Sequence, residues 1–346
     1  MILLNTYDVL SLIHVMNYFS ITYLAWTMHP FLSCEYVFVF AAILCYYSFS
    51  CACITHNSLH TRVFHSRTLE TIYHQILTLT YGHPAKTMVR VIFTKSFGHN
   101  PRLTCGEQIP GHNLSHHRHT ETRKDPMRTS KVQYKWHILN LLLFQPTVAL
   151  DVFIMDIRYT LLQRILQKPF FVNVCCEWTV LIVSQFSLML LDWRRFLLYI
   201  YIPHLFAQWA IVTMNILQHD GCEDDLVLNY NTARNFTGRT INLLTFNNGF
   251  HTIHHMFPTM HWSELRKQHN KKIKKHIHPN LDQACMATYI FRTFLFPGHR
   301  IDYLGQPVKF AIGTYERDED WTQEHAPQNV KLADYDCSLL RRVLFR

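Results

Sequence analysis

Apolar residues in this chain collect into long runs separated by stretches dense in histidine and charge, and the runs have the length of membrane spans. The first extends from Val9 to Trp26 and stops at the turn around His29 and Pro30. The second starts near Tyr36 and continues to Thr55, twenty residues, which as a helix covers about 30 Å. A second pair follows, Val172 to Leu191 with Glu177 near one end, and Phe196 to Leu217 with no formally charged residue. Asp192, Trp193, Arg194 and Arg195 form the short turn between them. The spacing predicts two membrane hairpins.

His137 to Ile157 is apolar as well, but Pro146, Asp151 and Asp156 interrupt it, and a charge at bilayer depth is costly. This segment is expected at the interface or against a polar cap. The chain then divides into a first hairpin (1–55), a large loop (56–171), a second hairpin (172–217), a second loop (218–300) and a polar tail (301–346). The predicted fold class is an all-α integral membrane protein with four transmembrane helices and a helical cap. Core helices of a soluble protein are the competing reading, which four near-uncharged runs of spanning length disfavour.

Charge assigns the sides. Residues 56–168 carry 15 Lys and Arg and residues 218–346 carry 16, while only Arg194 and Arg195 lie between the second pair of runs. The positive excess belongs to cytoplasmic loops, so both large loops are expected in the cytoplasm. The formal net charge of +9 by itself suits nucleic acid, a membrane surface or an acidic partner equally. Met1 to Ser11 has no Lys or Arg, unlike the start of a secretory signal, so the first apolar segment is expected to be retained. The ten cysteines include no CxxC pair and read as small buried hydrophobes in a reducing setting.

The 24 histidines change the picture most. His56 and His60 form HxxxH. His112, His116 and His117 form HxxxHH; Asn215 and His219 form NxxxH; His251, His254 and His255 form HxxHH. On a helix, residues four apart differ by about 40° and residues three apart by about 60°, so such spacings aim several imidazoles into one pocket. His117 sits about 100° from His116 and can reach a second metal while its neighbour serves the first. Imidazole leaves the metal open among Fe, Zn, Cu and Ni. Nine His and one Asn exceed what one ion can take, so two metals are implied.

The ordered strings THNSLH, PGHNLSHHRHT, NILQHDG and NNGFHTIHHMFPTMHW resemble the membrane-bound fatty acid desaturases and their hydroxylase relatives, over about residues 31–270. The resemblance implies four spans, a cytoplasmic cap holding two Fe ions and a narrow tunnel for an acyl chain. By that likeness His56, His60, His112, His116, His117, His219, His251, His254 and His255 would bind iron, and Asn215 would support one iron through a water. The implied reaction consumes dioxygen and two electrons and leaves a double bond in a lipid acyl chain, presented as acyl-CoA or membrane lipid. A hydroxylase acting on a lipid, sterol or carotenoid shares the same site. Electrons must come from outside, because the chain has no Gly-rich dinucleotide fingerprint, haem attachment site or iron–sulfur Cys pattern. Cytochrome b5 or a ferredoxin is the expected donor, in the endoplasmic reticulum of a eukaryote or the inner membrane of a bacterium. One departure from the family pattern is a stretch of about twenty-five residues, Ala85 to Ile109, ahead of the second box.

Blander readings apply elsewhere. His119 is expected near the site without ligating, and His14 and His204 as packing histidines within spans. Asp220, Glu223, Asp224 and Asp225 read as a solvated acidic turn. Asn247, Asn248 and Trp262 are candidates to orient the third box. The run from Arg266 to His278 reads as a basic, membrane-facing surface and not a nucleic-acid patch. A metal-transporting membrane protein is the rival from another class, although transport favours ionisable groups inside the spans.

Overall fold

The computed structural model describes residues 2–88, 116–166, 168–223, 230–309 and 317–326. His112, most of the 85–109 stretch, Asp224 and Asp225 lie outside these residues.

Six long helices organise the described residues: α1 (Asp8–Met28), α2 (Cys34–His60), α3 (Arg67–Tyr81), α4 (His137–Ile165), α5 (Pro169–Leu191) and α6 (Trp193–His219). All but α3 are long and apolar enough to cross a membrane, five where the sequence led us to expect four. The additional one is α4, whose Pro146 is absorbed within a continuous 29-residue helix. Among the described residues, a single pair of strands, Asn235–Phe236 against Asp282–Gln283, tethers the residues ahead of the third box.

Two sets of contacts orient the bundle. At one end the two short turns meet: Arg195 Nη1 donates to the Trp26 carbonyl at 3.1 Å, and His29 Nδ1 lies 2.8 Å from the Tyr199 hydroxyl. At the other end the start of α1 returns to the end of α2, with Leu4 N donating to the Val63 carbonyl at 2.9 Å. There Leu59 of α2 packs with Phe170 and Val174 at the start of α5.

Burial changes along α2. Tyr36 and Phe38 are exposed, whereas every residue from Ser50 to His60 is buried. Its 27 residues make about 40 Å of helix, longer than a hydrocarbon core of about 30 Å, so the last two turns continue into the protein body. The same holds for α6, buried from Thr213 to His219. Phe38, Ile182, Phe186 and Leu190 leave broad apolar faces outward, the surface expected toward lipid and not toward water.

The tail differs from a plain polar extension. Its residues 317–326 return to the body and place Trp321 in full burial among Leu59, Tyr159 and Phe170. Asp318 pairs with Arg128 and, at 2.6 Å, with Lys131, which also holds Asp151 at 2.7 Å. Asp320 pairs with Arg158 at 2.8 Å.

Candidate metal centre

The ends of α2 and α6 bring His56, His60 and His219 to one level, and two short helical turns complete the set. One carries His117; the other, His251–Met256, presents its imidazoles three and four residues apart. Just before that turn, Phe246 and Asn247 take positive φ values of 54° and 59°, a strained bend that Asn tolerates and Phe rarely adopts.

Eight imidazoles converge as two groups of four. His56, His60, His117 and His254 form the first; His116, His219, His251 and His255 form the second. Within each group the candidate ligand atoms lie within 4.8 Å of one another. The sequence neighbours His116 and His117 fall in different groups, as do His254 and His255, in keeping with the 100° step of a helix. The groups abut where the rings of His117 and His255 stack, centroids 4.0 Å apart.

The second group has the chemistry to hold a cation. His219 Nδ1 lies 3.0 Å from the Thr232 carbonyl, which can only accept, so that nitrogen carries the proton. His116 Nδ1 lies 2.7 Å from the Asp125 carboxylate. In their neutral forms both rings therefore turn Nε2 lone pairs toward each other, 3.1 Å apart. His251 Nε2 sits 3.0 Å from the Nε2 atoms of both His219 and His255. Two imidazole nitrogens about 2.1 Å from one cation and at a right angle are themselves about 3.0 Å apart, so the spacing fits metal ligation. Burial, with neighbouring imidazoles adding to it, holds His251, His254 and His255 well below the usual imidazole pKa range. They stay neutral, the form that binds metal. His254 Nε2 in the first group is buried with no hydrogen-bond partner.

The family model for fatty acid desaturase matches residues 108–282, half of the chain, and takes in the second box, the NxxxH pair and the third box. The chain belongs to the fatty acid desaturase family. No curated protein matches it. In this desaturase family member the first box lies outside the matched segment, and the fold carries His56 and His60 to the same centre.

Beside the two groups opens a cavity of about 600 Å³, lined by His56, His251 and Asn215 at the centre and by apolar residues of α4 and α6, among them Val152, Phe153 and Val212. Small-molecule sites commonly span about 300–1,000 Å³. Asn215 donates through Nδ2 to the Met127 carbonyl at 2.8 Å, and its Oδ1 is buried without a partner.

Asp125 is the functional residue that the boxes do not reveal. It is fully buried, accepts from the backbone N–H groups of Glu121 and Met127 at 3.1 and 2.8 Å, and fixes the ring of His116, the carboxylate–histidine arrangement typical of metal sites. Its position eight residues beyond the second box offered the only signal. Asp220 of the acidic turn is not solvated as expected: it is buried and held by Arg300 at 2.5 and 2.8 Å. Glu223 accepts from the Tyr303 hydroxyl. His119 faces Glu324 at 3.8 Å. His14 and His204 meet Ser50 and Tyr18 at 2.9 and 2.8 Å. Trp262 Nε1 donates to Asp8, Asn247 to the Trp262 carbonyl, and Gln218 to the Asn248 carbonyl, so the three candidates for orienting the third box brace its surroundings.

Proposed function

We propose that this family member is a dioxygen-dependent lipid acyl-chain desaturase working at a pair of irons. The observation that carries the reading is the adjacency of two four-imidazole groups to an apolar-walled cavity. His56, His60, His117 and His254 would hold one iron, and His116, His219, His251 and His255 the other. Asn215 would support one of them through a water, and His112 joins the set by its box position. Bound iron supplies oxidising power, which an unactivated methylene requires because it has no acidic proton to give to a side chain.

The chain's own residues position and protect. The walls of α4 and α6 hold an acyl chain by apolar contact and keep water from the reacting carbons. Asp125 and the Thr232 carbonyl keep the proton on Nδ1 of His116 and His219, leaving Nε2 of each ring for metal.

In the membrane, α1 with α2 and α5 with α6 form the two spanning hairpins. Support comes from parity: residues 116–131 and the start of α5 both lie at the histidine end, so the stretch that contains α4 makes no net crossing. The pairing of Asp151 and Arg158 with Lys131 and Asp320 suits a helix lying against the cap, which we place in the cytoplasm on the positive-loop rule. Lys271, Lys272, Lys274 and Lys275 are exposed while Ile273 and Ile277 are buried. That basic face suits an acidic electron carrier such as cytochrome b5 or a ferredoxin.

Iron analysis of purified protein, followed by mass spectrometry of lipids from expressing cells, tests the reading. About two irons per chain and lipids lacking two hydrogens are expected. Products gaining one oxygen would assign the hydroxylase chemistry instead, and stoichiometric zinc without oxygen uptake would refute both.

A further inference from the structure

The cavity that meets the histidines contains one group that desaturation of a plain hydrocarbon does not require. Asp156 of α4 lines it, 5% exposed, and its Oδ1 is buried with no hydrogen-bond partner. The nearby cations are committed elsewhere: Arg158 to Asp320 at 2.8 Å, and Lys131 to Asp151 and Asp318. The same cavity is lined by the apolar side chains of Val152 and Phe153 and, among polar residues, by Tyr81, His83 and Gln208. The Gln208 amide Nε2 is spent on the Tyr81 and Gly82 carbonyls at 3.1 and 3.0 Å. An acyl chain bound there would press methylenes against this carboxyl and leave it unsatisfied, which is costly even for a neutral polar group.

We infer that Asp156 is a specificity residue that receives a hydroxyl group of the lipid, so that the substrate is a hydroxyl-bearing lipid whose uncharged polar group enters the cavity. The inference rests on the reading of the cavity as the lipid site. A carboxyl removed from water without a cation favours its neutral form, which has one O–H to donate and a carbonyl to accept. A hydroxyl answers both. A phosphate or carboxylate head group would meet an acid with which no cation is paired among the described residues, and is disfavoured there.

The test is equilibrium binding of radiolabelled hexadecanol and of hexadecyl methyl ether to the detergent-solubilised full chain. Wild type is expected to bind the alcohol about tenfold more tightly than the ether, the worth of one good buried hydrogen bond. Asp156→Asn keeps a donor and an acceptor and should retain the preference, whereas Asp156→Leu should bind the two probes alike. Asp156→Leu should also raise the melting temperature, since it removes an unsatisfied buried carboxyl; a merely structural Asp156 would lower it. Wild type that binds both probes equally, or Asp156→Leu that keeps the preference, overturns the inference and leaves the lipid cavity standing. Binding of neither probe by wild type overturns both.

Discussion

The two four-imidazole groups are built from the same boxes but are held by different parts of the molecule. His56 and His60 of the first group stand on the last turns of α2, so their position is set by a helix continuous with a membrane hairpin. The second group draws on the end of α6, and there the outward nitrogens are fixed by cap partners, Asp125 for His116 and the Thr232 carbonyl for His219. One group inherits its geometry from a rigid helix; the other depends on a hydrogen-bonded shell. Substitutions should therefore separate them.

The largest effect is expected from removing a first-group imidazole. His254→Ala should lower turnover by more than about a hundredfold, since loss of a mere orienting partner already costs about 10–100-fold. Membrane insertion should be untouched, because the apolar faces of α1, α2, α5 and α6 do not depend on this side chain. Metal analysis is expected to show the second group still loaded. Wild-type turnover in this variant would remove His254 from the centre.

Trp321→Ala comes next and acts through packing. Trp321 is fully buried against Leu59, the residue before His60, and against Tyr159 and Phe170. Large-to-small changes of this kind cost about 3–5 kcal/mol, read as a lower unfolding temperature. The loss should loosen the end of α2, so metal should leave the first group sooner than the second on titration with a chelator. Equal loss from both would mean that the tail braces the cap as a whole.

The contrast also explains what the sequence made legible. Spans of α2 and α6 were readable because twenty or more apolar positions carry a strong signal, and the boxes because His at three- and four-residue spacing is rare outside metal sites. The division into two groups followed in outline from the angular offset of His116 and His117. What stayed hidden depends on partners distant in the chain. Asp125 is an ordinary acid until His116 folds over it. Residues 317–326 look polar, since one Trp among charges has no periodicity, yet Asp318 meets Arg128 and Lys131 far upstream. The full length of α4 was not legible because Pro146, Asp151 and Asp156 read as interruptions, and Lys131, the partner of Asp151, lies outside the helix.

Asp125→Asn tests the opposite side of the comparison. An amide keeps the shape but weakens the hold on the His116 ring, and such a change costs about 10–100-fold in metal affinity or activity. The deficit should fall on the second group, so metal content should drop from about two toward one per chain while His254 and its neighbours remain loaded. A variant that loses metal equally from both groups would show that the carboxylate supports the shared frame.

The smallest effect is expected at Asn215. Its Nδ2 donates to the Met127 carbonyl, while the Met127 N–H donates to Asp125, which holds His116. Asn215→Ala breaks the far end of this relay, a single hydrogen bond worth about 1 kcal/mol, so metal affinity of the second group should fall about fivefold. Asn215→Asp keeps an acceptor in place of Oδ1 but cannot donate to a carbonyl. If bracing is what Asn215 supplies, the two variants lose equally. If Oδ1 supports an iron through a water, Asn215→Asp is spared and Asn215→Ala is not, and Asn215 moves from the shell of the second group to its centre.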